Sequence, residues 1–148
     1  MGLGQAAFEY LMVVGIALLL IVPGAVLFYN YSVKSGDMLA RSKIDLAGSE
    51  IIDSVEKVYY IGESSWETIR VDFPDNVRDI YILNNEELVV EYDTSVGVSE
   101  SVFFSDINMT TSYPAGGGRS NISSSPHPGL NVIKVISMGD YVLINETR

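Results

Sequence analysis

Three patterns of hydrophobic and polar positions follow one another along the chain. From Leu11 to Tyr29 no residue is charged. A helix rising 1.5 Å per residue needs about 20 such residues to cross the roughly 30 Å hydrocarbon core of a bilayer, so this run predicts a membrane-spanning helix. From Asp37 to Ile61 the apolar residues Leu39, Ile44, Ala47, Ile51, Val55 and Val58 recur mostly every three or four positions. Arg41, Lys43, Asp45, Glu50, Asp53, Glu56 and Lys57 fill the other faces, which predicts an amphipathic helix. Gly15 and the pair Pro23-Gly24 interrupt the apolar half. Proline removes an intrahelical hydrogen bond, so Pro23 predicts either a simple kink or a locally opened stretch, and neighbouring helices can satisfy the freed carbonyls. Gly15 permits close helix contact. Ser35-Gly36-Asp37 predicts a break or bend between the two halves.

After Ser64 the period changes to two. Thr68–Phe73, Asp79–Leu83, Leu88–Tyr92 and Val98–Phe104 read as strands, with Asn84-Asn85-Glu86-Glu87 as a hairpin turn. Asn131–Ser137 and Tyr141–Asn145 form a closing hairpin across Met138-Gly139-Asp140. An inner face of Ile69, Val71, Ile80, Ile82, Val89, Val102, Val132, Val135 and Val142 is expected. Residues 106–129 are rich in Ser, Gly and Pro and read as a flexible surface loop, more a spacer than a contact site. The fold class is therefore α+β: a long N-terminal helix packed on a small, mostly antiparallel sheet or sandwich. Its predicted divisions are an apolar, membrane-spanning helix at 5–31, an amphipathic helix at 32–62 and a β domain at 63–148.

Composition narrows the possible chemistry. Nine Lys and Arg face 19 Asp and Glu, for a net charge of −10, and among these only Glu9 precedes residue 34. The part outside the membrane is thus acidic, which disfavours nucleic-acid binding, since phosphate contacts need a basic surface. Cysteine is absent, so there is no disulfide framework or thiolate chemistry to read. The one histidine, His127, lies between two prolines without a ligand or base at suggestive spacing. Asp72, Asp75, Asn76 and Asp79 gather oxygens at a turn but lack a calcium-loop spacing. Gly116-Gly117-Gly118 lacks the strand, helix and lysine of a phosphate cradle, and Trp66 beside Tyr59 and Tyr60 reads as a cap of the helix-to-sheet junction. No catalytic residue, metal site or cofactor is predicted.

The residue that most needs explaining is Glu9, a carboxylate at the edge of the apolar run. Charge near a bilayer costs a few kcal/mol and is read by default as functional, with a partner to be named. No Lys or Arg occurs before Lys34. An α-amino group made by cleavage just upstream would serve, and Gly4-Gln5 is a small-residue junction of the kind that processing enzymes cut. The stretch Gly4-Gln5-Ala6-Ala7-Phe8-Glu9-Tyr10-Leu11 resembles the class III signal peptide of archaeal type IV pilin-like proteins.

The resemblance implies that residues 1–4 are a leader removed by a prepilin peptidase, so that Gln5 becomes the first mature residue and Glu9 the fifth. It implies that Glu9 pairs with the N-terminal amine of a neighbouring subunit, and that the apolar helices leave the membrane to form a filament core in which the stretch at Pro23 unwinds. A Glu and an amine buried together offset one another, whereas either alone in an apolar bundle is strongly unfavourable. The implied partners are the membrane, identical or related pilin subunits, and the peptidase and assembly machinery.

Four Asn-X-Ser/Thr sequons, at Asn30, Asn108, Asn121 and Asn145, favour a glycosylated domain outside the cell. Lys34, Arg41 and Lys43 would by the positive-inside rule hold that end in the cytoplasm. The processing site and the sequons require the reverse, and that is the expected orientation: a single-pass membrane protein with an extracellular C-terminal domain, displayed on a filament after assembly. The expected function is that of a structural pilin subunit in a cell-surface filament, with adhesion as one possible use. The alternative is a monomeric membrane-anchored surface protein that binds a ligand without polymerising.

Overall fold

A computed structural model describes residues 3–123 and 128–147. The fold is α+β, one long N-terminal helix with two mostly antiparallel sheets. The helix, α1, runs Leu3–Ile61. No break occurs at Ser35-Gly36-Asp37, contrary to expectation. A single glycine costs a helix only about 1 kcal/mol relative to alanine, and the Asp37 carboxylate, instead of competing for the backbone, accepts hydrogen bonds from Ser95 N at 3.2 Å and Ser95 Oγ at 2.5 Å. That triplet does mark a border, because the chain divides into compact units at residues 1–36 and 37–148. α1 ends where Gly62 adopts a positive φ of 117°. There Gly62 N and the Ser65 hydroxyl both donate to the Val58 carbonyl, satisfying a helix-end acceptor.

Within residues 37–147 the strands are β1 Trp66–Phe73, β2 Val77–Leu83, β3 Glu87–Thr94, β4 Gly97–Phe104, β5 Met109–Thr110, β6 Tyr113–Gly116, β7 Arg119–Asn121, β8 Gly129–Ser137 and β9 Val142–Glu146. One sheet has the order β1-β8-β9-β5, the other β4-β3-β2-β7-β6. Among the described pairs only β5 with β9 is parallel. The predicted hairpins are present. Asn84 and Asn85 hold the left-handed backbone that tight turns need, with φ 53° and 67°, as asparagine tolerates better than most residues.

A single hydrophobic core joins the second half of α1 to the inner faces of both sheets. Ile44, Ala47, Ile51, Val55 and Val58 are buried as the helical period requires, together with Ile52 and Ser54, which lie beside that stripe. Leu39 departs from expectation: it is 63% exposed, because the stripe meets the sheets only from Ile44 onward. Gly48 is part of the contact. A Cβ placed there would stand 2.3 Å from the Phe103 ring, so the residue's smallness lets β4 approach the helix.

Three of the nine expected inner-face residues point the other way. Val102 is 39% exposed and Val132 only half-buried; the residues that face inward are Phe103, which packs against the core, and Ile133. Side chains alternate along a strand, so Val132 and Val135 cannot share a face, and burial follows Asn131, Ile133, Val135 and Ser137. Val89 is buried but lies on the outer side, opposite Val102 and Tyr81, while Leu88 and Val90 join the core.

The expected loop at 106–129 is also corrected. Ile107, Met109 and Ile122 are buried, and β5, β6 and β7 occupy much of the segment. Gly116, Gly117 and Gly118 have φ of 83°, 62° and 78°, a conformation glycine adopts without a steric penalty. They turn β6 back onto β7, and Gly118 O accepts from Asn84 N at 2.7 Å. The glycines that suggested slack make a tight reversal.

Candidate functional site

The first unit exposes what a water-soluble fold would hide. From Gly4 to Gly36 nearly every helical residue is exposed, including Leu11 at 67%, Leu19 at 72% and Phe28 at 73%. This helix is long and apolar enough to cross a membrane, and it lies near the N-terminus, compatible with a membrane anchor or a signal sequence. A contiguous apolar surface of this extent marks a region that lipid or other protein covers.

Glu9 lies on this bare helix, exposed, and forms no ion pair among the described residues. Gln5 is four residues upstream, so the two share a helix face. Gly4 and Gln5 are both helical and exposed, while Met1 and Gly2 lie outside the described residues. Pro23 sits inside α1, where it has no N–H to donate to the Leu19 carbonyl one turn back. The assembly residues predicted from the sequence thus share one exposed apolar surface.

The four sequon asparagines fall in different settings. Asn30 is exposed on α1, and Asn108 is exposed just before β5. Asn121, within the segment read as a loop, lies in β7, and Asn145, read as the end of a strand, lies in β9. Asn121 Oδ1 accepts from Arg119 Nε at 3.2 Å. Asn145 Nδ2, the atom a glycan would occupy, donates to Ser112 Oγ at 2.9 Å, and its Oδ1 accepts from Ser112 N.

The remaining candidates are committed elsewhere. Asp72 accepts from Lys43 Nζ at 3.0 Å, Asn76 Nδ2 donates to the Asp93 carbonyl, and Asp79 pairs with Arg119. Among the described residues no group of His, Asp and Glu is arranged to hold a metal ion. Trp66 is 63% exposed and carries the Lys134 ammonium 5.0 Å from its ring centroid, while Tyr59 packs edge-on against Tyr60. His127 lies outside the described residues.

Sequence reasoning missed two features. The Arg119 guanidinium stacks 3.6 Å from the Tyr81 ring centroid while pairing with Asp79; burial, then Glu100, pushes the Tyr81 phenol up. The Asp37–Ser95 contact joins residues 58 apart, a separation at which no local pattern signals a contact. No family model, no curated protein and no solved structure matches the chain.

Proposed function

We propose that the chain is a structural subunit of a type IV pilus-like cell-surface filament, processed by a prepilin peptidase between Gly4 and Gln5 and assembled through its N-terminal helix. The observation that carries this reading is Glu9, a carboxylate with no ion pair among the described residues, on the 4–36 stretch of α1, whose apolar side chains are nearly all exposed. Lipid alone would cover the apolar residues but leave the carboxylate without a counter-charge. Packing against other copies covers the same residues and brings the Gln5 amine of a neighbour to Glu9, which compensates both charges. The residue 37–147 unit has its own core and suits display outside the cell, with Asn108 as an exposed glycan acceptor; Asn30 lies at the end of the helix segment given to the core, where neighbouring subunits would shield it.

Glu9→Ala tests the reading. Filaments sheared from cells should disappear while the full-length protein stays in the membrane fraction. Mass spectrometry of the mature wild-type chain should begin at Gln5. Undiminished filaments in Glu9→Ala would overturn the role given to Glu9, protease access to residues 64–148 only from the cytoplasmic side would overturn both surface readings, and a wild-type chain that stays in the membrane with its domain outside and never yields filaments would leave the second reading. That reading, a monomeric membrane-anchored surface protein, is favoured by the sufficiency of one apolar helix as an anchor.

A further inference from the structure

Seven lysines and arginines are described from Asp37 onward, and five sit in ion pairs: Arg41, Lys43, Lys57, Arg78 and Arg119. The other two, Arg70 and Lys134, lie together. In the β1–β8 register Arg70 stands opposite Val132 and Thr68 opposite Lys134, which makes the cations diagonal neighbours, their α-carbons about 7–8 Å apart. Both project from the outer face of the four-stranded sheet, since Ile69, Val71, Ile133 and Val135 take the core side. Exposed Trp66 and Leu130 flank them.

The outer face of the five-stranded sheet carries the opposite arrangement. Glu91 stands directly opposite Glu100 across β3 and β4, and neither forms an ion pair among the described residues. Like charges facing one another across a strand pair are unfavourable. Beside them Val98, Val102 and Phe104 are 50%, 39% and 71% exposed. Each sheet of this acidic domain thus bears one like-charge pair that closes no ion pair among the described residues, of opposite sign to the other and set among exposed apolar groups; Arg78 acts on Glu91 only at longer range, and Asp72, on the same face as Arg70, is taken by Lys43.

The geometry points to a second copy of this chain as the occupant of each face, with Arg70 and Lys134 of one subunit meeting Glu91 and Glu100 of the next while Trp66 packs near Val102 and Phe104. The contact joins two different patches, so it is head-to-tail and can propagate without closing. It deepens the filament reading and rests on it, because exposed ion pairs are individually weak and gain from subunits held side by side by their helices.

The chain has no native cysteine, which allows a direct test on the full-length protein in membranes. Thr68→Cys with Val102→Cys in one chain should give a disulfide-linked ladder of multimers under mild oxidation. Arg70→Glu/Lys134→Glu and, separately, Glu91→Lys/Glu100→Lys should each lower ladder yield roughly tenfold or more by setting like charges together. Co-expressing the two should restore it, since each altered face then meets an oppositely charged face on the other variant. Absence of a ladder from the doubly cysteine-bearing chain, or a ladder indifferent to charge reversal, overturns the contact. Retention on dextran sulfate that needs Arg70 and Lys134, without a ladder, overturns it in favour of an anionic polysaccharide. Sheared filaments without a ladder sink this contact alone; a ladder without filaments sinks the filament reading alone.

Discussion

The two halves of α1 are built from similar side chains and meet opposite fates. Leu19, in the first unit, is 72% exposed, whereas Ile51 is wholly buried. A helix has no interior of its own, so its apolar residues stay bare until another element covers them. For the residues from Ile44 onward that cover is two sheets of the same chain. For residues 4–36 the chain's described residues supply none, and the cover must come from lipid or from other molecules. The difference teaches that burial inside a chain and assembly between chains draw on the same hydrophobic force, and that the location of the partner separates fold from function.

Breaking the buried half should have the largest effect. Ile51→Ala is expected to cost the residue 37–147 unit about 2–5 kcal/mol, read as a lower denaturation midpoint of the full chain in detergent, with membrane retention unchanged. The bare half should respond in the reverse sense. Leu19→Lys places a charge mid-helix at a cost of about 2.5–3.5 kcal/mol for insertion; membrane recovery should fall while the denaturation midpoint moves by less than about 0.5 kcal/mol. A loss of stability comparable to that of Ile51→Ala would erase the distinction between the halves.

Gly48 sharpens the comparison at one position. Gly48→Leu drives side-chain atoms into the Phe103 ring and should destabilise by about 1–3 kcal/mol, whereas Gly15→Leu, where a Cβ meets nothing within 4 Å, should leave the unfolding midpoint essentially unmoved.

The smallest effect is electrostatic. Lys57, aided by Ser54, holds the Glu67 carboxyl below its ordinary value against a desolvation that raises it. A depressed folded-state value means that the pair stabilises above the unfolded-state pKa and that this contribution is lost as pH falls through the folded one. Lys57→Met should therefore lower stability slightly at neutral pH, where the pair is formed, and leave it unaltered below the folded-state value, which makes the acid limb of the stability profile shallower; the effect stays small because the pair is largely exposed.

The local patterns carried much of this architecture. An uncharged run long enough to span a bilayer, a helical stripe from Ile44 to Val58 and alternating strands bounded by Asn and Gly turns all report on nearest neighbours, and each is found. Glu9 stood out for the same reason, as one charge beside an uncharged run. Errors arose where the outcome depended on distant residues. Leu39 fits the stripe but has no sheet beneath it. Val102 and Val132 are as apolar as the residues beside them, and only strand register assigns them to the outer face. The glycines at 116–118 have a composition that suits a loose loop equally well as a tight turn, and their pairing decides which.

By itself the sequence determined the kind of each element and the apolar character of the N-terminal helix, because periodicity and hydropathy are properties of neighbouring residues. Tertiary structure alone decided which face of each strand is inside, which ion pairs close, and that Arg70 with Lys134 and Glu91 with Glu100 are left over on opposite sheets. Those outcomes depend on register between segments far apart in the chain, and a shift of one residue in that register would exchange the two faces of a strand.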